Sequence, residues 1–375
     1  MSRIKNETEK EKGLQGGTMK KHNLKGFTAL FLAGAMLLTG CSQSGTGAGT
    51  QADNSQATNA AQGEEKASEG AIVMKLGHVV TDGSSLDNGL DYLAELVNEK
   101  SGGSMVIEVY PNSTLGDNRA MIEQLQFGTL EMMAPSVAAL SGFTNKTMLL
   151  DLPYLFKNEA AAEEVLDGEI GTEILDDLKT NSLVGLGWFT QSWRNVTCNK
   201  DVHKPEDMKG LKIRTMDSEL HMAHFNQLGA SAIPMSMSEV YTALQQHTID
   251  AQENPYTNIV TSKFYEVQDY VIETKHIYDA CPLLVSQKCW DSLTDEQKSI
   301  LQECVKEAVE KEREDVLTDD EEYKKIVEES GTIINTLTDE ERAAFREAVQ
   351  PVYDKYVPTI GQDLVDKVNE INAKH

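Results

Sequence analysis

Between residues 71 and 136 the hydrophobic pattern changes period again and again, and this limits the possible folds more than any other feature of the chain. "AIVMKLGHVV" (71–80) reads as a strand. "DNGLDYLAELVNEKSGG" (87–103) then places Leu90, Leu93, Leu96 and Val97 at helical spacing and stops at two glycines. "MVIEVYP" is a second strand closed by Pro111, "NRAMIEQLQFGT" a second helix and "LEMMAPS" a short third strand. The order β-α-β-α-β predicts a mainly parallel sheet with right-handed crossovers. Ligands of such sheets sit beyond the carboxyl ends of the strands.

A second region of the same kind starts near residue 183. "LVGLGWF" and "WRNVTCN" read as two strands, "KPEDMKG" as a turn into a short helix, and "LKIRT" as another strand. "SELHMAHFNQLGA" and "SMSEVYTALQQ" read as helices, the second with a capping box from Ser236 to Glu239, and "TIDAQENP" as a strand running into a loop. Capping boxes also open helices at Thr294 to Gln297 and at Thr338 to Glu341, and the first of these helices is long enough to cross a domain. No sequence repeat relates the two regions. An α/β chain with two such regions, each followed by helices, predicts two lobes and a cleft.

Composition narrows the function. The chain of 375 residues carries a formal net charge of −26, which argues against nucleic-acid binding, since that needs a basic face. A local cationic pocket remains compatible with it, because near charges dominate. From Met19 the N-terminus has Lys20, Lys21 and Lys25 ahead of the apolar run Phe27 to Leu38, which is short for a spanning helix and reads as a secretory signal. It ends in "LTGC", which resembles a bacterial lipobox, so residues 19–40 are the expected lipoprotein signal peptide and Cys41 the lipidated residue that holds the chain at the membrane, outside the cytoplasm. Residues 1–18 read as an upstream extension. Residues 42–70 have no large hydrophobe, so 41–70 is expected to be a disordered tether reaching about 30 Å. Cys198, Cys281, Cys289 and Cys304 show no CxxC spacing; they read as buried free thiols, with one or two disulfides as the alternative.

Arg194 ("WRNVT") and Arg214 ("LKIRT") stand 20 residues apart on strand-like segments. On neighbouring strands both guanidinium groups would reach one cleft, where they repel unless an anion lies between them. An arginine fork matches a carboxylate, so the pair fits an acidic ligand; an internal salt bridge is the ordinary alternative for either one. Asn254, in "DAQENP", can donate and accept beside it. Devices for catalysis are absent from the sequence: no GxSxG, HExxH, P-loop or GxGxxG occurs. His221 and His224 form HxxH without a third ligand in view and read as a solvated or core pair, so neither metal nor cofactor is expected.

Four segments also carry a resemblance: "YPNSTLGDNRAMIEQLQFGTLEM" (110–132), "KPEDMKGLKIRT" (204–215), "LGASAIPMSMSEVYTALQQHTIDAQENP" (228–255) and "KFYEVQDYVIETKH" (263–276). In order and spacing they resemble the substrate-binding proteins of tripartite ATP-independent periplasmic (TRAP) transporters, the DctP-like family. The resemblance implies a two-lobed periplasmic-binding-protein-like fold with hinge strands and a long lobe-spanning helix. Lobe I would comprise 71–191 plus 280–319, and lobe II 192–279 plus 320–375. It implies capture, without catalysis, of a sugar acid such as a uronate or aldonate, or of a C4-dicarboxylate, and delivery to the transporter's membrane subunits; a surface-tethered enzyme or sensor acting on an organic acid is the alternative. The carboxylate clamp falls on Arg214, the second binding arginine on Arg194 and the binding asparagine on Asn254. Asn118 stands where the family often has an acidic residue, and Ser136 and His78 complete the expected ligand contacts.

Overall fold

The computed structural model describes residues 70–375. The predicted leader at 19–40, its extension at 1–18, Cys41 and the tether up to residue 69 lie outside the described residues.

The first region folds as β1 (Ile72–Gly77), α1 (Ser85–Lys100), β2 (Met105–Tyr110), α2 (Asn118–Phe127) and β3 (Met132–Met133). β1 pairs in parallel with both β2 and β3, as the alternation predicts. Helices α3 (Glu159–Asp167) and α4 (Glu169–Asp177) lead to β4 (Leu183–Cys198). The second region continues through β5 (Lys212–Thr215), α5 (Glu219–Gln227), β6 (Ser231–Pro234), α6 (Met237–Gln245), β7 (Ala251–Asn254) and α7 (Tyr256–Thr261). Then come β8 (Tyr270–Ser286), α8 (Gln287–Ser292), α9 (Asp295–Glu329), β9 (Ile333–Thr336), α10 (Asp339–Ala348), α11 (Gln350–Ile360) and α12 (Gln362–Asn372).

One sheet runs through both regions in the order β2-β1-β3-β8-β4-β7-β5-β6, with β9 beside β8. Its centre is the antiparallel pair β4 and β8, of 16 and 17 residues, which meets β3 at one end and β7 at the other. These are the two crossing strands. The sequence suggests two strands where β4 is one, because alternation breaks at Gln191 and Ser192. Pairing shifts register between Thr190 and Trp193, and Ser192 takes φ 66° there, with Lys275 at φ 43° in the facing strand. A positive φ at a side-chain-bearing residue is uncommon and bends the ribbon locally.

Helix α9 ties the two regions together. Its capping box at Thr294 forms as predicted, and 35 residues make it about 50 Å long. Leu301, Cys304 and Val305 enter the core built on β1 and α1, while Val327 enters a core with Val240, Ile259 and Val271. Midway, Glu312 is buried against Gly89 of α1, where an added Cβ would lie 2.7 Å from the glutamate Cγ; only glycine allows this approach. The box predicted at Ser236 does not form: Ser236 precedes α6 without a side-chain cap bond and lines a cleft instead. The segment from Met148 to Ile174 shares its core with Ile213, Phe225 and the C-terminal helices. The four cysteines are free and buried.

Candidate functional site

Arg214 lies in β5, whose neighbouring Ile213 is wholly buried in the core. Strand alternation turns successive side chains to opposite faces. The arginine is 3% exposed, and its Nε donates to the Met235 carbonyl at 2.9 Å. No carboxylate pairs with it among the described residues. Burial lowers its pKa to about 10, eased by the charge of Glu253 and deepened by Arg194, so it stays a cation at neutral pH. It lines a cleft of about 480 Å³ that also takes Met216, Met235 and Ser236 from its own region and Asn118 and Phe143 from the other. That volume suits a small ligand.

Arg194 is placed differently. β7 lies between β4 and β5, so the two arginines are not on neighbouring strands, contrary to the expectation from sequence. Arg194 is 1% exposed and is not among the residues lining the cleft. Its guanidinium meets the Glu253 carboxylate through Nε and Nη2, Asp279 through Nη1, and Asn254 Oδ1 at 3.0 Å. Its charge is therefore met by two acids of the same chain.

The remaining candidates divide in the same way. Asn118 opens α2 and lines the cleft, and its Oδ1 is buried without a partner. Asn254 is 2% exposed and lies in the Arg194 network, accepting from Asn258 and donating to Gln252. Ser136 donates to Asp279 at 2.5 Å. His78 is buried apart from these, 2.8 Å from Asp87. The structure thus brings Arg214 and Asn118 together at one cleft and sets Arg194, Asn254 and Ser136 in a buried polar layer.

Sequence reasoning missed the acids of that layer. Glu253 stands beside Asn254 in a strand buried along its whole length, and Asp279 interrupts the apolar run "HIYDACPLLV". A carboxylate in such a run needs a buried cation, which was the available signal. The HxxH pair belongs to the protein interior. His221 bonds Asp151 at 2.7 Å and lies 3.6 Å from Glu253, while His224 stacks on Phe225. Burial opposes charge on His221, but the charge and hydrogen bond of Asp151, with Glu253 behind them, outweigh it and raise the group to about 9.

That shift predicts a stability profile. A histidine whose folded pKa is raised stabilises fully below its unfolded value, here 6.5, and loses this as pH rises through the folded value. Between pH 7 and 8.5 unfolding free energy should fall by about 2 kcal/mol. Urea titrations of the wild type and of His221→Gln check this: the slope should vanish in the variant, and an unchanged slope refutes the assignment.

Comparison with known proteins matches this arrangement to one family. Residues 76–359 match the DctP family, described as bacterial extracellular solute-binding protein, family 7. The chain is 35% identical over 302 residues to the C4-dicarboxylate-binding protein DctB of Bacillus subtilis, covering 80% of this chain and 86% of that one. It is also 35% identical over 282 residues to the 2,3-diketo-L-gulonate-binding periplasmic protein YiaO of Escherichia coli, covering 74% and 85%. Among solved structures, a TRAP periplasmic solute-binding protein of Sulfurospirillum deleyianum with bound succinate superposes with a TM-score of 0.77 at 32% identity, over 81% of this chain and all of that one. The sugar acid binding protein DctPAm of Advenella mimigardefordensis, in complex with galactonate, does so with 0.78 at 32%, over 81% and 98%. The chain belongs to the DctP family of bacterial extracellular solute-binding proteins.

Proposed function

We propose that the protein captures a small organic acid outside the cytoplasm, closes its two lobes over it and delivers it to TRAP transporter membrane subunits, acting by binding and release without turnover. The observation that carries this reading is Arg214: a buried cation without an acid partner, on the wall of a cleft between the two α/β regions. Its fork receives the ligand carboxylate, and Asn118 meets the ligand from the opposite wall. Arg194, Asn254 and Ser136 act from behind, holding β4, β7 and β8 in place. Cys41, in "LTGC", supplies the lipid anchor.

Charge favours a sugar acid as the ligand. Arg119 and Arg214 line the cleft against Asp117, Asp217, Glu219 and Glu239, so the lining carries more acid than base. One carboxylate finds Arg214, whereas a second would enter an acidic surround. The buried Asn118 Oδ1 lacks a donor, which a ligand hydroxyl supplies. A C4-dicarboxylate is the second reading, supported by the likeness to DctB and by Arg119 at the cleft.

A thermal-shift screen of galactonate, galacturonate, erythronate, succinate and malate tests the proposal. At a hundredfold excess over Kd a true ligand raises Tm by about 5 °C or more. A response to the sugar acids alone supports the first reading and a response to the diacids alone the second. Silence from every acid, or consumption of one on incubation, sinks the capture function. For the anchor, Cys41→Ser is expected to move the protein from the membrane fraction to the soluble fraction, and retention on the membrane refutes it.

A further inference from the structure

Away from the cleft a second hollow, of about 390 Å³, opens beside the bend in β4 and β8. Its floor is aromatic. Phe156 and Trp193 are buried and each meets Tyr278 edge to face, at 6.4 and 5.3 Å between ring centroids. The Trp193 indole is fixed by a 2.9 Å bond to Glu159, and Tyr154, also lining the hollow, is held at φ 59° with its amide on the His276 carbonyl. These rings are therefore set in place before anything binds.

The rim is cationic. Lys157, Lys275, Arg342 and Arg346 stand against Glu159 and Asp339, which reverses the balance in the Arg214 cleft. Arg342 is engaged by the Thr274 carbonyl at 3.2 Å. Lys157, Lys275 and Arg346 have no ion pair among the described residues, although Asp320 feels the charge of Lys275. All three are exposed at the rim, in a chain with 34 basic and 60 acidic residues, so their charges face solvent above the aromatic floor and are free to meet an anion. Two of the wall residues, Tyr154 and Lys275, also hold left-handed backbone, a conformation that persists where surrounding structure enforces it and that clusters at binding sites.

We propose that this hollow is a second ligand site, for a small aromatic carboxylate. The ring lies on Trp193 and Phe156, and the carboxylate meets Lys275 and Arg346 at the rim. Offset or edge contacts with a fixed aromatic floor and charge-assisted hydrogen bonds to lysine and arginine are the two interactions such a ligand uses. The inference does not depend on what the Arg214 cleft binds.

Equilibrium dialysis of the purified protein with 2-naphthoate, and with neutral 2-naphthylmethanol, tests it. The acid should bind saturably and about tenfold more tightly than the alcohol. Lys275→Glu combined with Arg346→Glu should abolish that preference, while Arg214→Ala should retain it. In parallel, the Trp193 indole resonance of the wild-type protein, assigned by its loss in Trp193→Phe, should shift on titration with the acid, a readout that does not require the charge-reversed protein to fold. The proposal falls if the acid shows no saturable binding, if acid and alcohol bind alike, if Arg214→Ala alone removes binding, or if the Trp193 signal stays still.

Discussion

Arg214→Ala is expected to weaken ligand binding by at least about tenfold in isothermal calorimetry, because truncating one partner of a buried charge pair costs about 2–5 kcal/mol. Arg214→Lys should bind poorly as well, since an ammonium cannot reproduce the two-pronged contact with a carboxylate. Stability should move the other way. Arg214 is 3% exposed and without an acid partner, so the unliganded protein bears the cost of its desolvation, visible in the lowering of its pKa to about 10. Arg214→Met is therefore expected to unfold at a higher temperature than wild type while losing the ligand, the pattern of a residue retained for binding. Unchanged affinity in both the alanine and lysine variants would remove Arg214 from the site.

Arg194→Met should show the opposite pattern. The guanidinium bridges Glu253 and Asp279, each almost wholly buried, and removing it leaves Asp279 without a cation and Glu253 with only His221, at 3.6 Å, to balance it. Breaking a buried pair in this way costs about 3–5 kcal/mol, which corresponds to a fall in Tm on the order of 10 °C. Adding Glu253→Gln should restore part of that loss, because one of the stranded charges is then gone. A urea midpoint within error of wild type for Arg194→Met would show that the cluster contributes nothing to the fold.

The contrast between the two arginines also marks what could be read from sequence. The elements of the first region were legible because their periodicity is local: β1, α1, β2, α2 and β3 each follow from neighbours a few residues away. The caps at Thr294 and Thr338 were legible for the same reason, whereas Ser236 has the right spacing but faces a cleft that only tertiary structure creates. Arg214 stood out as a cation in a short strand. The insertion of β7 between β4 and β5, which separates Arg194 from Arg214, comes from pairings between residues 38 to 59 positions apart, and no local pattern encodes it. Asp279, 85 residues beyond Arg194, was hidden for that reason too.

Helix α9 has one more consequence. It is a single rod rooted in two separate cores, and its 35 residues contain neither glycine nor proline, the usual makers of kinks. Any turn of one half relative to the other would have to bend this rod along its length, whereas the paired strands β4 and β8 already carry left-handed backbone at Ser192 and Lys275. Under the proposed closure, the resistance of the bent rod would oppose the grip on the cargo and favour its release.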